Sequence, residues 1–240
     1  MSREFQPRKK TPMMRGIMAC LIGAFSLASI DVALAQKHPK PGDNSAKAAP
    51  DAIAAQNAPL NPQVAIHMAD DYFNTARVMT ADFVQVGADG RRSEGKLYVV
   101  KPGRLRFEYA LPATMEIIAD GVSVAIRDRK LKSQQLYFIS QTPLKFLLQD
   151  KINLAKDVKV TNVSSTGKSV IITIEDKSTF GGTSTIKLDF DRKDFTLQKW
   201  EVTDPQGYDT LVSLHNIDLA TVPDLKLFRI PPTSLWPSLN

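Results

Sequence analysis

Alternation of apolar and polar side chains, which begins near Ala81 and ends near Asp218, is the feature that most limits how this chain can fold. A period of two places successive side chains on opposite faces of a β-strand. Glycine, proline and aspartate separate the alternating runs, as they do in tight turns. The pattern predicts eleven strands: 81–87, 93–101, 104–110, 114–119, 122–127, 134–139, 158–164, 169–175, 184–190, 195–204 and 208–218. Because most connections are short, we expect neighbouring strands to pair antiparallel.

One predicted strand shows the alternation clearly. In residues 101–112, KPGRLRFEYALP, two arginines and a glutamate share one parity, and the other parity holds Leu105, Phe107 and Tyr109. We therefore expect one hydrated face and one strongly apolar face. The sequence leaves two roles open for the apolar face, which are an ordinary core and a surface that holds an apolar ligand.

Two helical segments accompany the strands. Asn61 followed by Pro62 is a favourable helix start, with asparagine as cap and proline at the first helical position. The apolar stripe that follows, at spacings of three and four, consists of Ala65, Ala69, Phe73 and Ala76. Thr142 and Pro143 repeat the same start midway along the chain. We expect them to open a short helix that contains Leu144, Phe146, Leu147 and Leu148.

These elements predict a mainly β protein of the α+β class. A sheet of about eleven strands curls, and its concave side must be filled. Only two helices are available to cover it, and one of them is short. Incomplete cover would leave an apolar cavity, which would bind apolar ligands. A plainly packed core is the alternative.

Residues 1–35 have the three parts of a secretory signal peptide. A basic segment precedes an uncharged run of 15 residues, Gly16 to Ile30, and Ala33-Leu34-Ala35 forms a small-x-small site. This run is shorter than the roughly 20 apolar residues of a membrane-spanning helix. We expect export, cleavage after Ala35, a flexible tether over residues 36–60 and one folded domain over residues 61–240.

Composition and motifs disfavour catalysis, metal binding and nucleic-acid binding. Residues 1–35 hold five of the 31 basic and two of the 25 acidic residues, so the remainder carries a net charge of only +3, without a basic stripe. The segment 166–169, TGKS, lacks the upstream glycine of a phosphate-binding loop, and 189–194, DFDRKD, lacks the glycine and distal glutamate of a calcium loop. His67 and His215 have no nearby ligand spacing. We therefore expect no enzymatic activity, no metal and no cofactor.

The chain resembles the LolA family, the periplasmic carriers of outer-membrane lipoproteins, over most of residues 62–232. The features that match the family occur in the same order along this chain. They are Phe83 and Gln85, the block Gly95-x-Leu97-x-Val99-x-Lys101-Pro102, Ile118-x-Asp120-Gly121, Thr142-Pro143 and the closing segment LFRIPP, Leu227 to Pro232. None of these motifs would suffice alone.

The resemblance implies an unclosed half-barrel whose helices form a lid over an apolar concave face. In that family the cavity shields the acyl chains of a lipoprotein, which an inner-membrane ABC transporter releases and an outer-membrane acceptor receives. The residues expected to line the acyl-chain cavity are Leu97, Val99, Leu105, Phe107, Tyr109, Ile118, Val124 and Ile126. The expected lid residues are Leu144, Phe146, Leu147 and Leu148. We expect a monomer.

Lys101 departs from the family pattern, because many members have an arginine there that tethers the lid. Lysine keeps the charge but lacks the planar fork of five donors, so the lid should be held more loosely unless Arg104 or Arg106 takes its place. A second function of the same fold stays open, that of an envelope sensor or scaffold. Such a protein would bind a lipid or lipoprotein without passing it on.

Overall fold

An antiparallel sheet forms most of the structure, a computed structural model in which residues 59–232 are described. Its eleven strands are β1 (Val78–Val86), β2 (Arg92–Val100), β3 (Arg104–Tyr109), β4 (Met115–Asp120), β5 (Ser123–Asp128), β6 (Ser133–Phe138), β7 (Lys159–Ser165), β8 (Ser169–Asp176), β9 (Ser184–Asp191), β10 (Leu197–Thr203) and β11 (Asp209–Asp218). All eleven strands predicted from the alternation are confirmed. β1 begins three residues earlier than predicted, at Val78.

The strand order leaves the sheet unclosed. It runs β6-β5-β4-β3-β2-β1-β11-β10-β9-β8-β7. Each strand pairs with its neighbours in sequence, except that β6 does not pair with β7, and β1 also pairs with β11. Within the described residues, β6 and β7 are the two edges. The chain between these edges, residues 139–158, contains the helical insert. The predicted half-barrel of about eleven strands is therefore confirmed.

The sheet is strongly curved. The rings of Phe107 in β3 and Trp200 in β10 have centroids 6.4 Å apart, although β2, β1 and β11 lie between their strands. In a flat sheet those two strands would be about 19 Å apart, at about 4.8 Å per strand. Only a curled sheet brings the two rings into contact, and their contact lies inside the curl.

Helix α1 (Pro62–Thr75) begins where the sequence predicted. The side chain of Asn61 caps it by accepting hydrogen bonds from the N–H groups of Gln63 and Val64, at 2.9 and 3.4 Å. The buried stripe is Ala65, Ala69 and Phe73. Ala76, the fourth residue of the predicted stripe, follows the helix as its C-cap. No helix between residues 59 and 232 is long and apolar enough to span a bilayer.

The insert differs from the prediction in where its helix begins. A 3₁₀ turn, Ile139–Gln141, comes first, and two single-turn helices follow, α2 (Lys145–Leu148) and α3 (Leu154–Asp157). The Thr142 hydroxyl donates backward to the carbonyl of Ile139, at 2.9 Å. Because it serves the end of the 3₁₀ turn, it does not cap α2. The prediction that Thr142 caps the helix was wrong.

The predicted signal peptide, residues 1–35, lies outside the described residues, and so does most of the predicted tether. Leu60, the last residue of the predicted tether, lies within the described range. The N–H of Leu60 donates to the hydroxyl of Ser165 at the end of β7, at 2.8 Å, and Leu60 is partly buried against the core. The chain is therefore attached to the edge of the sheet just before α1 begins.

Candidate ligand-binding site

The concave face of the sheet is a continuous apolar surface across five strands. Residues directly opposite each other in a ladder point to the same side. One row across β2 to β5 joins Leu97, Phe107, Ile117 and Ile126, and the next joins Val99, Leu105, Ala119 and Val124. Tyr109 lies two residues after Phe107 in β3 and therefore points to the same face. Phe83 of β1 lies opposite Gly95 of β2, which in turn lies opposite Tyr109. Seven of the eight predicted cavity residues therefore share this face.

Ile118 is the exception. It pairs with Arg106 and Ala125, so it lies on the convex face. It is nevertheless completely buried, because the 3₁₀ turn Leu225–Phe228 packs across β3 and β4 on that side. The prediction that Ile118 lines the cavity was wrong. Ile117 and Ile118 are both apolar, so the alternation does not reveal which of them faces inward.

The arginines of β3 also belong to the convex face. Arg106 donates to the carbonyl of Leu227 at 3.1 Å and to the carboxylate of Glu116 at 3.0 Å. Glu116 is itself buried, and it also forms an ion pair with Arg127. Arg104 has the same parity as Arg106 in β3. Neither arginine can therefore replace Lys101 as a tether on the concave side.

In this structure the concave face is filled by side chains of the protein itself. Phe146 of α2 contacts Trp200, and it also contacts Phe73 of α1, with ring centroids 6.1 and 5.8 Å apart. Phe73 in turn contacts Phe190, at 5.8 Å. The predicted lid residues Phe146, Leu147 and Leu148 are buried in the same core, and Leu144 is partly buried against it. A ligand on this face must take the place of these side chains.

Gly95 permits close aromatic packing on the concave face. A Cβ atom at Gly95 would lie 2.0 Å from the carbonyl oxygen of Glu108. With no side chain between them, Phe83 and Tyr109 pack edge to face at 5.1 Å. The Tyr109 hydroxyl donates to the side-chain oxygen of Gln85 at 2.9 Å, and burial raises the pKa of this phenol. The polar groups on this part of the face are thus satisfied by each other.

Lys101 connects the sheet to α1. Its ammonium donates to the carbonyl of Phe73 in the last turn of the helix and lies 5.4 Å from the centre of the Phe73 ring. A cation is favourable there, because the last carbonyls of a helix lack helical partners and carry partial negative charge. Burial, and then the nearby Arg77, lowers the pKa of Lys101 from 10.5 to about 8, whereas Asp150 acts in the opposite direction.

The turn after Lys101 also holds α2. The N–H of Gly103 donates to the carbonyl of Leu148, the last residue of α2, at 2.8 Å. Gly103 has φ +78°, and a Cβ atom there would lie 2.6 Å from the Cα of Gly121. The turn between β2 and β3 therefore contacts both covering helices at their C-terminal ends, and it requires glycine in order to do so.

We use the term cap for α1 together with residues 139–157. Polar contacts from one stripe of α1, and from Arg77 just after the helix, join the two parts. They link Asp70 Oδ1 to the N–H of Leu154 (2.8 Å), Asn74 to both the N–H and the carbonyl of Ile152 (2.9 Å each), and Arg77 to the carbonyl of Asp150 (2.8 Å). Because the helices of the insert are single turns, these contacts define where the insert lies. The cap is thus one connected unit.

A partly buried ion pair fixes the other side of the cap. Lys145 of α2 donates to Asp176 at the end of β8, at 2.8 Å, and to the hydroxyl of Ser178, at 2.6 Å. Burial alone would raise the pKa of Asp176, but hydrogen bonds from Lys145 and Ser178 outweigh it, so the pKa is lowered. The carboxylate is therefore charged at neutral pH, and the pair attaches the insert to the sheet.

Sequence reasoning missed several residues of this site, namely Phe83, Trp200, Phe73 as a tether partner, Lys145 and Asp176. Trp200 illustrates why. The ladder between β9 and β10 shifts between Leu197 and Lys199, so the strict alternation breaks there. As a result Leu197 and Trp200, three residues apart, are both buried in the core. Two buried apolar residues at that spacing in a strand are the signal that could have revealed the bulge.

The motifs that the sequence analysis rejected are structural. Thr166 Oγ1 accepts the N–H groups of Lys168 and Ser169, so TGKS forms a hairpin turn. Asp191 likewise accepts the N–H of Lys193, within the turn after β9. Across residues 59–232, no three His, Cys, Asp or Glu side chains are grouped in a way that could hold a metal ion.

Comparison with known proteins places these features in context. The model of the family described as "Outer membrane lipoprotein carrier protein LolA" matches residues 74–231. The outer-membrane lipoprotein carrier protein of Chromobacterium violaceum is 26% identical over 189 residues, which cover 75% of this chain and 90% of that protein. An uncharacterized protein of Rickettsia prowazekii is 29% identical over 111 residues, and the match spans 45% of this chain and about half of that protein, 52%. The crystal structure of a LolA superfamily protein from Nitrosomonas europaea covers 71% of this chain and 98% of its own, with 12% identity and a TM-score of 0.40.

Proposed function

The chain belongs to the LolA family of outer-membrane lipoprotein carrier proteins, and we propose that it is itself a periplasmic carrier. It binds the acyl chains of lipoproteins released from the inner membrane and delivers them to the outer membrane. Proteins of this family bind and carry rather than catalyse. The observation that carries the proposal is the predominantly apolar concave face beneath a separately anchored cap.

The energetics of acyl chains explain why a carrier needs such a face. Each methylene removed from water contributes about 0.8 kcal/mol, so one chain of about 16 carbons needs about 13 kcal/mol of apolar burial. The concave face and the apolar side of the cap can offer comparable area. Aliphatic and aromatic linings need no directional polar contacts, and so they suit flexible chains of variable length.

The cap supplies a reversible cover. In the closed state Phe73 and Phe146 occupy the concave face. Opening requires the loss of a few anchors on the sheet, at Lys101, Gly103 and Asp176, whereas the contacts between α1 and the insert can persist. Acyl chains would then replace the two phenylalanines. Because closure restores the aromatic core, the closed state competes with the cargo and favours its release.

Transport between membranes also sets the route of the protein. Residues 1–35 would direct export and be removed after Ala35, and residues 36–60 would form a tether ahead of the folded domain. An inner-membrane ABC transporter would load the carrier, and an outer-membrane acceptor would receive the lipoprotein. The carrier would act as a monomer.

A release assay tests the proposal. Residues 36–240, which include every described strand and helix, are added to ATP-energised inner-membrane vesicles that hold a labelled triacylated lipoprotein. We expect a soluble one-to-one complex, followed by transfer of the label to added outer membranes. A soluble complex without transfer would instead support the sensor or scaffold function. Without a soluble complex, the carrier function fails.

A photoreactive phenylalanine analogue locates the cargo in the loaded complex. We place it at Phe107, on the concave face, and in the control at Phe138, whose side chain is exposed on edge strand β6. Illumination of the loaded complex should crosslink the acyl chains to position 107 and not to position 138. Equal crosslinking at both positions would contradict the assignment of the concave face.

A further inference from the structure

The hairpin tip between β5 and β6 displays an apolar side chain among cations. Leu131 is 73% exposed, and Arg129, Lys130 and Lys132 surround it in sequence, all exposed. None of these three cations forms an ion pair with any acidic residue in the described range 59–232. A large exposed leucine among three exposed cations contributes nothing to the core. It is therefore available to an external partner.

The tip is held in a defined shape. The carboxylate of Asp128 accepts the Thr114 hydroxyl at 2.9 Å and the N–H groups of Lys130 and Leu131 at 2.8 and 3.0 Å. Lys132 has φ +52°, a left-handed conformation that glycine or asparagine adopts more easily. The turn thus has a lysine at a position where the backbone favours glycine or asparagine, and the N–H groups of Lys130 and Leu131 are fixed.

A second exposed leucine lies on the adjacent loop. Leu111, between β3 and β4, is 85% exposed. The N–H of Arg129 donates to the carbonyl of Thr114 at 2.9 Å, which ties the β3–β4 loop to the β5–β6 hairpin. The two loops lie at the same end of the sheet, because β3 to β6 alternate in direction. Two leucines and three cations therefore project from one end of the half-barrel.

We propose that this end of the molecule, residues 110–114 and 129–132, docks on the surface of a bilayer that contains anionic phospholipids. Clustered lysine and arginine side chains are attracted to an anionic headgroup layer, and leucine side chains favour the boundary between headgroups and acyl chains. The ligand of this end of the molecule is the surface of a lipid bilayer, whereas the proposed ligand of the concave face is a single acyl chain. This inference goes beyond the carrier function and stands without it.

Environment-sensitive labels test the docking directly. The chain contains one cysteine, Cys20, so residues 36–240 contain none, and a single engineered cysteine can be labelled uniquely. We label Leu131→Cys and, as a matched control, Val222→Cys with a fluorophore whose emission shifts in apolar surroundings. Val222 is similarly exposed, at 66%, and follows β11 at the opposite end of the sheet. Vesicles of phosphatidylcholine alone are compared with vesicles that also contain phosphatidylglycerol.

We expect a blue shift at position 131, only with anionic vesicles, and none at position 222. In the unlabelled protein, Arg129→Ser/Lys130→Ser/Lys132→Ser should lower vesicle partitioning about 100-fold, at about fivefold for each cation. Leu131→Ser should lower it several-fold, and high salt should also weaken it. The proposal is overturned by a shift at both positions, by binding that ignores lipid charge, or by no binding at all. If the protein binds no vesicles at all, an acidic protein becomes the partner to test for this hairpin tip.

Discussion

Lys101 and Phe73 join the sheet to the cap, because the ammonium just after β2 donates to the main-chain carbonyl of Phe73 in the last turn of α1. The same Phe73 side chain packs inside the aromatic core. A change in this one contact should therefore alter both the position of α1 and the packing of Phe73 against the concave face. Lys101 is the natural place to test how firmly the cap is held.

Lys101→Arg should strengthen the closed state. Arginine offers five donors in a planar fork, so it can contact more than one carbonyl at the end of α1. One additional hydrogen bond contributes about 1 kcal/mol, so affinity for a fluorescent fatty acid should fall about fivefold. Lys96→Arg is the matched control, because Lys96 is exposed and pairs with Asp82 at 2.8 Å. Unchanged affinity in the Lys101 variant would refute the role of this contact in opening.

Stability should depend on pH through Lys101. Burial lowers its pKa from 10.5 to about 8, so between these values the unfolded chain holds a proton that the folded chain lacks. Stability from this group is therefore fully present above pH 10.5 and is lost as pH falls to about 8. Compared with Lys101→Met, the native protein should gain about 1.4 kcal/mol per pH unit across this window. Urea unfolding of both proteins at pH 7.5 and 9.5 measures the difference, and a parallel response would contradict the prediction.

Asn74→Ala should loosen the joint between α1 and the insert. It removes two hydrogen bonds to Ile152, at 2.9 Å each, and leaves the N–H and carbonyl of Ile152 without their partner. We expect a loss of about 2 kcal/mol in the free energy of unfolding and faster proteolysis within residues 149–153. Asn162→Ala, on the exposed side of β7, is the control. If both variants are cut at the same rate, the joint does not hold the insert.

Gly95→Ala should be severely destabilising. The new methyl group would lie 2.0 Å from the carbonyl oxygen of Glu108, so β2 and β3 must separate locally. We expect a loss of about 3 kcal/mol or more, since a rigid backbone atom cannot move aside cheaply. Ser93→Ala, two residues earlier on the same strand and face, should cost less than about 0.5 kcal/mol. Similar midpoints in urea for the two variants would show that the strands tolerate a side chain at Gly95.

The sheet was predictable because most strands have one buried and one hydrated face. In β1, for example, buried and half-buried residues alternate along the whole strand. The prediction failed where both faces are covered, since Ile117 and Ile118 look alike in the sequence but lie on opposite sides. It also failed at Thr142, whose hydroxyl serves the turn before it rather than the helix after it.

The apolar residues of the cap could be predicted from the sequence, but the contacts that hold the cap together and attach it to the sheet could not. Those contacts join residues far apart in the chain. Asn74 meets Ile152, 78 positions away, and Leu154 meets Asp70, 84 positions away. No local pattern specifies such pairs. Lys101 was identified as a tether only through the family resemblance, and the identity of its partner needed the folded chain.

Because β6 and β7 are unpaired edges of the sheet, hydrogen bonding between strands does not fix the diameter of the half-barrel. In a closed barrel, strand number and stagger fix the diameter, because every strand is hydrogen-bonded to two others. In residues 59–232 the ladder ends at β6 and at β7, and the chain passes from one edge to the other through the insert. The two edges could therefore spread apart without the loss of a ladder hydrogen bond. If the protein carries acyl chains as we propose, such spreading would admit cargo of different bulk while the strands keep their register.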